Sequence, residues 1–546
     1  MKTVKRALAL VLALTLLLAM SATVFAAAQT YSITVKNENK SISIKDNTYY
    51  AYRIFDATYN GDNVAYTVNE NFAGFTYTVS DKNYQGEALI NYLADLTADS
   101  AALDAFAKAA LDYATTNHIA AAGTVKATDE TAVISVDAPG YYLVAGTATA
   151  PNNQTVTAAC SLTTAKPDAE VNVKADVPSI DKKIVEESGK VEANTANIGD
   201  KVSYEITSKV PNMTGYTKYF FVLNDTLSKG LTFNNDVKVK IGETELAADA
   251  YSVTSTTNRD GTTSVKIVLN NFINYQEKNG QTILVTYSAT LNRDAEVGTT
   301  PNTNAVKLVY SNDPNHTYTG ENEPAAGDPT GETPESKTET YTTELTITKT
   351  DGNGQILTGA EFTLTGNSVN IVLVSESTFT EGENGTYWKL KNGTYTTTEP
   401  TTENQASYNS TETKYSKTTT LTAKGTDQTE TSVKGYVDNE GKVTFRGLGA
   451  GGYMLAETVT PAGYNTIEPI KFTISFNKDT KTFSTDNKNI SVGTDNTLST
   501  TIVNNAGAEL PSTGGIGTTV FYVLGGLLVV CAGVLLITKR RMNKNA

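Results

Sequence analysis

Leu345-Thr346-Ile347-Thr348-Lys349 alternates apolar and polar positions and is rich in β-branched residues, so Leu345, Ile347 and Lys349 fall on one face of a strand. An ammonium then points where two aliphatic side chains point. Desolvation penalises the charged form, so a lysine in that position tends to lose its proton, and a neutral amine is a nucleophile. Near the other end of the same segment Leu498, Thr500, Ile502 and Asn504 share a face. The pattern recurs upstream: Ile180, Lys182 and Ile184 share one face, and Asn304, Val306, Leu308 and Tyr310 share another. Each segment begins with a lysine and ends with an asparagine on its apolar face, and first and last strands of a sandwich are often neighbours.

Working outward, the chain of 546 residues is too long for one core and divides into about three domains of roughly 150 residues. Residues 29–174 form a first domain, with Tyr31, Ile33 and Val35 on alternate positions and a closing strand at Gly140-Tyr141-Tyr142-Leu143-Val144. Between them, helical spacing of Leu89, Leu93 and Leu96, and of Leu103, Phe106 and Leu111, predicts two helices over 87–96 and 101–117. Residues 175–340 are a second domain, with strands at 202–206, 237–241, 264–269 and 283–291 and a hairpin signal at Asn258-Arg259-Asp260-Gly261. Its end, 313–340, is rich in Pro, Gly and acids and reads as a long exposed loop or hinge. Residues 341–509 make a third domain with short alternating strands and a Thr/Ser/Asn-rich insertion over 396–431. The fold class is mostly β: tandem immunoglobulin-like sandwiches, the first carrying inserted helices.

The termini are of another kind. Lys2, Lys5 and Arg6, an apolar stretch from Ala7 to Leu18 and small residues near Ala26-Ala27-Ala28 make 1–28 a secretory signal peptide. Residues 510–546 hold Leu510-Pro511-Ser512-Thr513-Gly514, an apolar run from Ile516 to Ile537 long enough to cross a bilayer, and Lys539-Arg540-Arg541. The net charge of −14 argues against nucleic acid as a partner. Cys160 and Cys531 are the two cysteines, and the second lies in the apolar run, so no disulfide staples the exported part. His118 and His316 stand far apart without partner spacing, and Asp351-Gly352-Asn353-Gly354 reads as a turn rather than a calcium loop. No metal, cofactor or turnover enzyme is expected.

The order pentapeptide, apolar span, basic tail resembles the cell-wall sorting signal of Gram-positive surface proteins. That resemblance implies that a sortase cysteine attacks the Thr513 carbonyl, opens the Thr513–Gly514 bond and leaves a thioester for an amine to resolve. The paired lysines and asparagines resemble Gram-positive major pilins and collagen-adhesin B-type domains, in which a Lys amine attacks an Asn carboxamide, expels ammonia and leaves an intramolecular isopeptide bond. The chemistry needs a carboxylic acid held protonated by its apolar site. Tyr453 to Tyr464, Tyr-Met-Leu-Ala-Glu-Thr-Val-Thr-Pro-Ala-Gly-Tyr, matches the family's E-box and gives Glu457 that role beside Lys349 and Asn504. In the second domain Asp225 is the counterpart beside Lys182 and Asn304. Lys183 and Asn505 are the rival assignments, on the opposite faces, and no trio appears in the first domain, where Lys36 lies opposite Ile33 and Val35.

The same resemblance implies a polymerising lysine at the junction of the first two domains, where Val171-Asn172-Val173-Lys174 precedes Pro178. Lys174 takes the place of the pilin-motif lysine, although Asn172-Val173 stand where Tyr-Pro is expected; Lys166 is the rival in a shifted register. The expected partners are sortase, further copies of the chain and peptidoglycan, with ancillary pilins and a host ligand left open. The alternative is a monomeric wall-anchored adhesin, and the two readings part at Lys174.

Overall fold

The computed structural model describes residues 30–98, 100–366, 373–423, 432–508, 510 and 516–542. The expected signal peptide and Pro511, Ser512, Thr513 and Gly514 lie outside the described residues. Period-two alternation becomes sandwich wherever it was read. The strand Tyr31–Lys36 buries Ile33 and Val35 and turns Lys36 outward. It pairs antiparallel with Thr131–Val136 and parallel with Asp168–Asn172. This small sheet packs Ile33, Val35 and Ile134 against Tyr49, Tyr142 and Val144 of a six-stranded sheet.

The outer face of that larger sheet is also apolar, with Ile54, Phe55, Leu143 and Ala145, and needs a cover. Helices Gly86–Ala94 and Ala101–Thr116 supply it through Leu89, Phe106, Ala107, Ala110 and Ala114. The longer helix starts where Ser100 Oγ accepts the Leu103 N–H, an N-cap worth about 1 kcal/mol. Both helices are within two residues of the expected bounds. Cys160 is buried in this layer, which pushes its thiol up to about 12.

The middle domain is two seven-stranded sheets closed on a core that includes Ile184, Tyr204, Phe221, Val265, Tyr287 and Leu308. Residues 313–340 are not one exposed loop. Thr330–Glu332 and Ser336–Tyr341 pair with the strand Asn302–Ser311 at separate places along it, and Thr338 and Thr340 are buried. The composition misleads because Ser336–Tyr341 buries Thr338 and Thr340 in place of aliphatics and Thr330–Glu332 buries only Gly331. As a result Asn302–Ser311 is an inner strand, and Ser336–Tyr341 is the true last strand of the domain.

The C-terminal sandwich joins a six-stranded sheet to a five-stranded one around Leu345, Ile347, Phe362, Phe445, Leu455, Leu498 and Ile502. In the six-stranded sheet the first strand, Thr343–Asp351, runs parallel to the last, Leu498–Asn504. From the Thr/Ser/Asn-rich insertion the strand Tyr415–Ala423 pairs with Leu373–Glu381 to extend this sheet; positions 424–431 lie outside the described residues.

The middle and C-terminal domains meet at a dry joint. Asn197 Oδ1 accepts the Gly449 N–H at 3.0 Å and the Tyr453 hydroxyl at 2.9 Å, all of them buried. Gly447 sits at φ +83° with Ile198 against it; a Cβ there would lie 2.3 Å from Ile198 Cδ1, so glycine is required on both counts. The first and middle domains are also hydrogen-bonded to each other, with the Thr157 N–H bonded to the Asn312 carbonyl at 3.1 Å, Asn315 Nδ2 to the Ala158 carbonyl at 3.1 Å and the Glu332 N–H to Gln154 Oε1 at 2.9 Å. Beyond Leu510, the helix Ile516–Met542 contains an 18-residue stretch with mean hydropathy 2.7, and Lys539, Arg540 and Arg541 stand in its last turn.

Candidate functional site

Two buried clusters hold the predicted trios, built in different ways. In the middle domain Lys182 stands on Asp181–Glu186, whose neighbour Lys201–Lys209 in turn pairs with Thr282–Leu291. Asp225 and Asn304 come from the facing sheet, on the paired strands Phe221–Leu227 and Asn302–Ser311. The register sets Asp225 opposite Val306 and Leu227 opposite Asn304, so acid and amide are diagonal neighbours reaching across the core toward the lysine. The expectation that lysine and asparagine strands lie side by side fails here: they face each other from opposite sheets.

All three side chains are within 1 % of full burial. Lys182 Nζ donates to Asp225 Oδ1 at 2.6 Å and Oδ2 at 2.7 Å, and to Asn304 Oδ1 at 2.5 Å. A fourth group, absent from the sequence reading, completes the cluster. Tyr287 Oη accepts from Lys182 Nζ at 2.7 Å and from Asn304 Nδ2 at 2.8 Å, and donates to Asp225 Oδ2. The rings of Tyr204 and Tyr287 stand 5.3 and 5.2 Å from Nζ and wall off water. Desolvation in this site brings the Lys182 ammonium down to about 8 against the opposing pull of Asp225. That is the direction a nucleophile needs. Lys183, the rival, is half-buried and paired with Glu192 at 2.7 Å.

In the C-terminal domain lysine and asparagine do lie side by side. Lys349 pairs in register with Ile502 and Asp351 with Asn504, so Lys349 and Asn504 are diagonal on parallel neighbours of one sheet. Glu457 reaches them from Gly451–Val459 in the facing sheet. Asn504 Nδ2 donates to both Glu457 oxygens at 3.0 Å. Ile467 N–H holds the same carboxylate at 3.2 Å from the loop beyond the E-box, which orients it. Lys349 Nζ, fully buried, donates to the carbonyls of Ile502 at 3.2 Å and Thr350 at 3.3 Å. Desolvation lowers its affinity for the proton, with Glu457 and then Asp351 opposing. Asn504 Oδ1 is buried and has no hydrogen-bond partner among the described residues, an acceptor that a half-turn of the amide would present to an acid proton on Glu457. Asn505, the rival, is exposed.

Lys174 lies where the first domain hands over to the second, its Nζ 3.9 Å from Asp104 Oδ1. Asp104 borders a groove of about 660 Å³ between the helix Ala101–Thr116 and the middle domain's 212–217 and 276–279 segments. Lys166 is elsewhere, its Nζ 3.5 Å from the Gly61 carbonyl. Asp351 accepts the N–H groups of Asn353 and Gln355, both at 2.8 Å, and closes the turn read from sequence.

The chain resembles known families at three places. Residues 198–314, which carry Asp225, Tyr287 and Asn304, match the Gram-positive pilin backbone subunit 2, Cna-B-like domain. Residues 418–489, which carry Glu457, match a prealbumin-like fold domain, and residues 502–544 match the LPXTG cell wall anchor motif. At these places the chain is similar to the backbone pilins of Gram-positive bacteria. This pilin is 27 % identical over 381 residues to the trypsin-resistant surface T6 protein of Streptococcus pyogenes serotype M6, covering 67 % of this chain and 70 % of the relative. Its fold is that of the T6 backbone pilin of the same species, with a TM-score of 0.50 at 16 % identity, over 88 % of this chain and 99 % of the other. The full-length major pilin SpaD of Corynebacterium diphtheriae gives 0.45 at 17 %, over 88 % and 98 %. The pilin is a structural subunit of a surface pilus, anchored to the cell wall through its LPXTG motif and so a substrate of sortase.

Proposed function

We propose that the pilin is stapled by two intramolecular isopeptide bonds, Lys182 to Asn304 and Lys349 to Asn504, and is joined head to tail through Lys174 of one copy and Thr513 of the next. The observation that carries the first part is a lysine, an acid and an asparagine packed together in each sandwich, with burial lowering both lysines. In each reaction the neutral Nζ bonds to the Asn Cγ. The Cγ–Nδ2 bond breaks, the Nζ proton leaves by way of the carboxyl group, and the amide nitrogen departs as ammonia. Asp225 and Glu457 emerge unchanged. Holding the partners side by side, within hydrogen-bond reach for Lys182 and Asn304, supplies most of the acceleration, since effective molarities for such placement reach about 10⁵ M or more. The chemistry happens once per domain and is self-directed, so the pilin acts as a structural polymer unit.

Polymerisation follows from the ends. Sortase would open Thr513–Gly514, and the Lys174 amine would take the Thr513 acyl group, leaving Lys174 in a peptide-like bond to the preceding subunit. The half-buried Lys174 beside Asp104 at the lip of a groove supports this role better than Lys166 on the outer surface. The finished polymer would pass to peptidoglycan when a wall amine resolves the last thioester. Ancillary pilins and a host ligand are further partners this reading accommodates.

The test is intact mass of the full chain, made in a host without sortase and extracted from the membrane. Two ammonias should be missing from wild type and one from Glu457→Ala, with the Lys182–Asn304 bond intact; a full complement in wild type would reject both bonds.

A pH effect separates lysine burial from bond formation. In Asn304→Ala, Lys182 stays free and buried, with its proton affinity lowered to about 8 from an ordinary 10.5. Between those values the unfolded lysine binds a proton that the folded one does not, so stability rises with pH through that window and the penalty is full below it. The melting temperature of Asn304→Ala should therefore climb from pH 8 to about 10 relative to Lys182→Met/Asn304→Ala. Parallel curves would show that Lys182 is not desolvated.

A further inference from the structure

The two clusters differ at the leaving nitrogen. Asn504 Nδ2 touches Glu457 directly through both oxygens, whereas Asn304 Nδ2 bonds to the Tyr287 hydroxyl at 2.8 Å, and that hydroxyl bonds on to Asp225 Oδ2. Aspartate is one methylene shorter than glutamate, and Tyr287 Oη occupies the interval. We propose that Tyr287 is a catalytic residue of the middle domain, carrying the proton from Asp225 to the departing nitrogen of Asn304. This rests on the reading that Lys182 and Asn304 become bonded.

The atoms balance as follows. Lys182 Nζ, as the neutral amine, bonds to Asn304 Cγ and gives one proton to Asp225. Asp225 returns a proton to Tyr287 Oη while Tyr287 passes its own to Nδ2. The Cγ–Nδ2 bond breaks and ammonia leaves. Nζ has lost one proton and Nδ2 has gained one, so tyrosine and aspartate end as they began. A hydroxyl suits the task because it donates and accepts and its hydrogen rotates freely.

The surroundings fit a relay. Tyr287 is 4 % exposed, so bulk water does not compete for the leaving nitrogen. Its phenol is held well above 10 by burial first and by Asp225 second, which keeps the proton on the oxygen until it is called for. The ring is fixed by Tyr204 at 5.3 Å and Phe233 at 5.6 Å between centroids, leaving the hydroxyl aimed at the cluster. Among the hydrogen bonds of the C-terminal cluster, no hydroxyl stands between Glu457 and Asn504.

The experiment follows newly made full chain in a sortase-free host by pulse labelling, denaturation and digestion, measuring the branched Lys182–Asn304 peptide against time. Tyr287→Phe keeps the ring and removes the relay, and should slow this bond by about 100-fold while the Lys349–Asn504 bond forms at its usual rate in the same molecule. Asp225→Glu added to Tyr287→Phe should restore speed, because the longer acid reaches Nδ2 as Glu457 does. A packing role alone would give no such rescue. To measure packing separately, Tyr287→Phe is melted in the Lys182→Met background, where a shift of at most a few degrees is expected. Bond formation in Tyr287→Phe at the wild-type rate, or a slowing matched by collapse of the melt in Lys182→Met, would overturn the proposal. Absence of the branched peptide from wild type would instead reject the underlying bond.

Discussion

Lys349→Met is expected to lower the melting temperature of the C-terminal domain by roughly 10–20 °C. Methionine matches the lysine stem in volume and removes the amine without leaving a charge in the core, so the change reports the lost bond more than a cavity. A covalent tie between Lys349 and Asn504 closes a loop of roughly 150 residues, and the chain-entropy treatment developed for disulfides gives about 5 kcal/mol for such a loop. For a domain of this size each kcal/mol moves the midpoint by about 2–4 °C. Lys182→Met should act alike in the middle domain, where Lys182 and Asn304 are 122 residues apart. Calorimetry of the full chain would resolve the transitions, and a midpoint that moves by only a degree or two would remove the stabilising role of the bond. The tie proposed for the C-terminal domain would also lock the sheet where it is most exposed to unzipping, since it would join the first strand to the last. The tie proposed for the middle domain would work differently and clamp one sheet to the other.

Lys174→Ala is expected to abolish the polymer while leaving the monomer folded, anchored and internally bonded. Cell-wall extract boiled in SDS and blotted with antibody to the exported domains should give a high-mass ladder from wild type and a single band from the variant. A surviving ladder would move the acceptor to another lysine, Lys166 first; no ladder in wild type would favour a monomeric adhesin. The effect should be near complete because the acyl transfer has no substitute for the amine. Stability should hardly change, since Lys174 is partly exposed and contacts Asp104 at only 3.9 Å, a pair worth at most about 1 kcal/mol. The position suits tension. A pull entering at Lys174 meets Lys182 eight residues later, and one leaving at Thr513 departs nine residues after Asn504, so both bonds stand close to where the load arrives.

Most of this was legible from alternation. Leu498, Thr500, Ile502 and Asn504 share a buried face as read, and a lysine or asparagine in line with aliphatics has few structural excuses, which is why both lysine–asparagine pairs emerged from alternation; the acids Glu457 and Asp225 came from the resemblance instead. Sheet assignment was not legible. Lys182 and Asn304 sit in opposite sheets because pairing partners are chosen over 100-residue separations that local pattern does not encode. Tyr287 was missed for a related reason: in Thr282–Leu291 it alternates with Ile283, Val285 and Ala289 and reads as one more core side chain. The one available signal was its hydroxyl, which a buried tyrosine must satisfy. The strands at Thr330–Glu332 and Ser336–Tyr341 were hidden by composition, since Pro, Gly and acids around them suggest a loop, the first buries only Gly331 and the second buries Thr338 and Thr340.

The bond between subunits is the feature to measure most directly. High-mass polymer released from the cell wall should be digested and its branched peptides sequenced by mass spectrometry. The expected result is a peptide in which the Thr513 carbonyl is joined to Lys174 Nζ, together with Lys182–Asn304 and Lys349–Asn504 branches from the same material. Thr513 joined only to the wall's own amine, with Lys174 recovered unmodified, would contradict it.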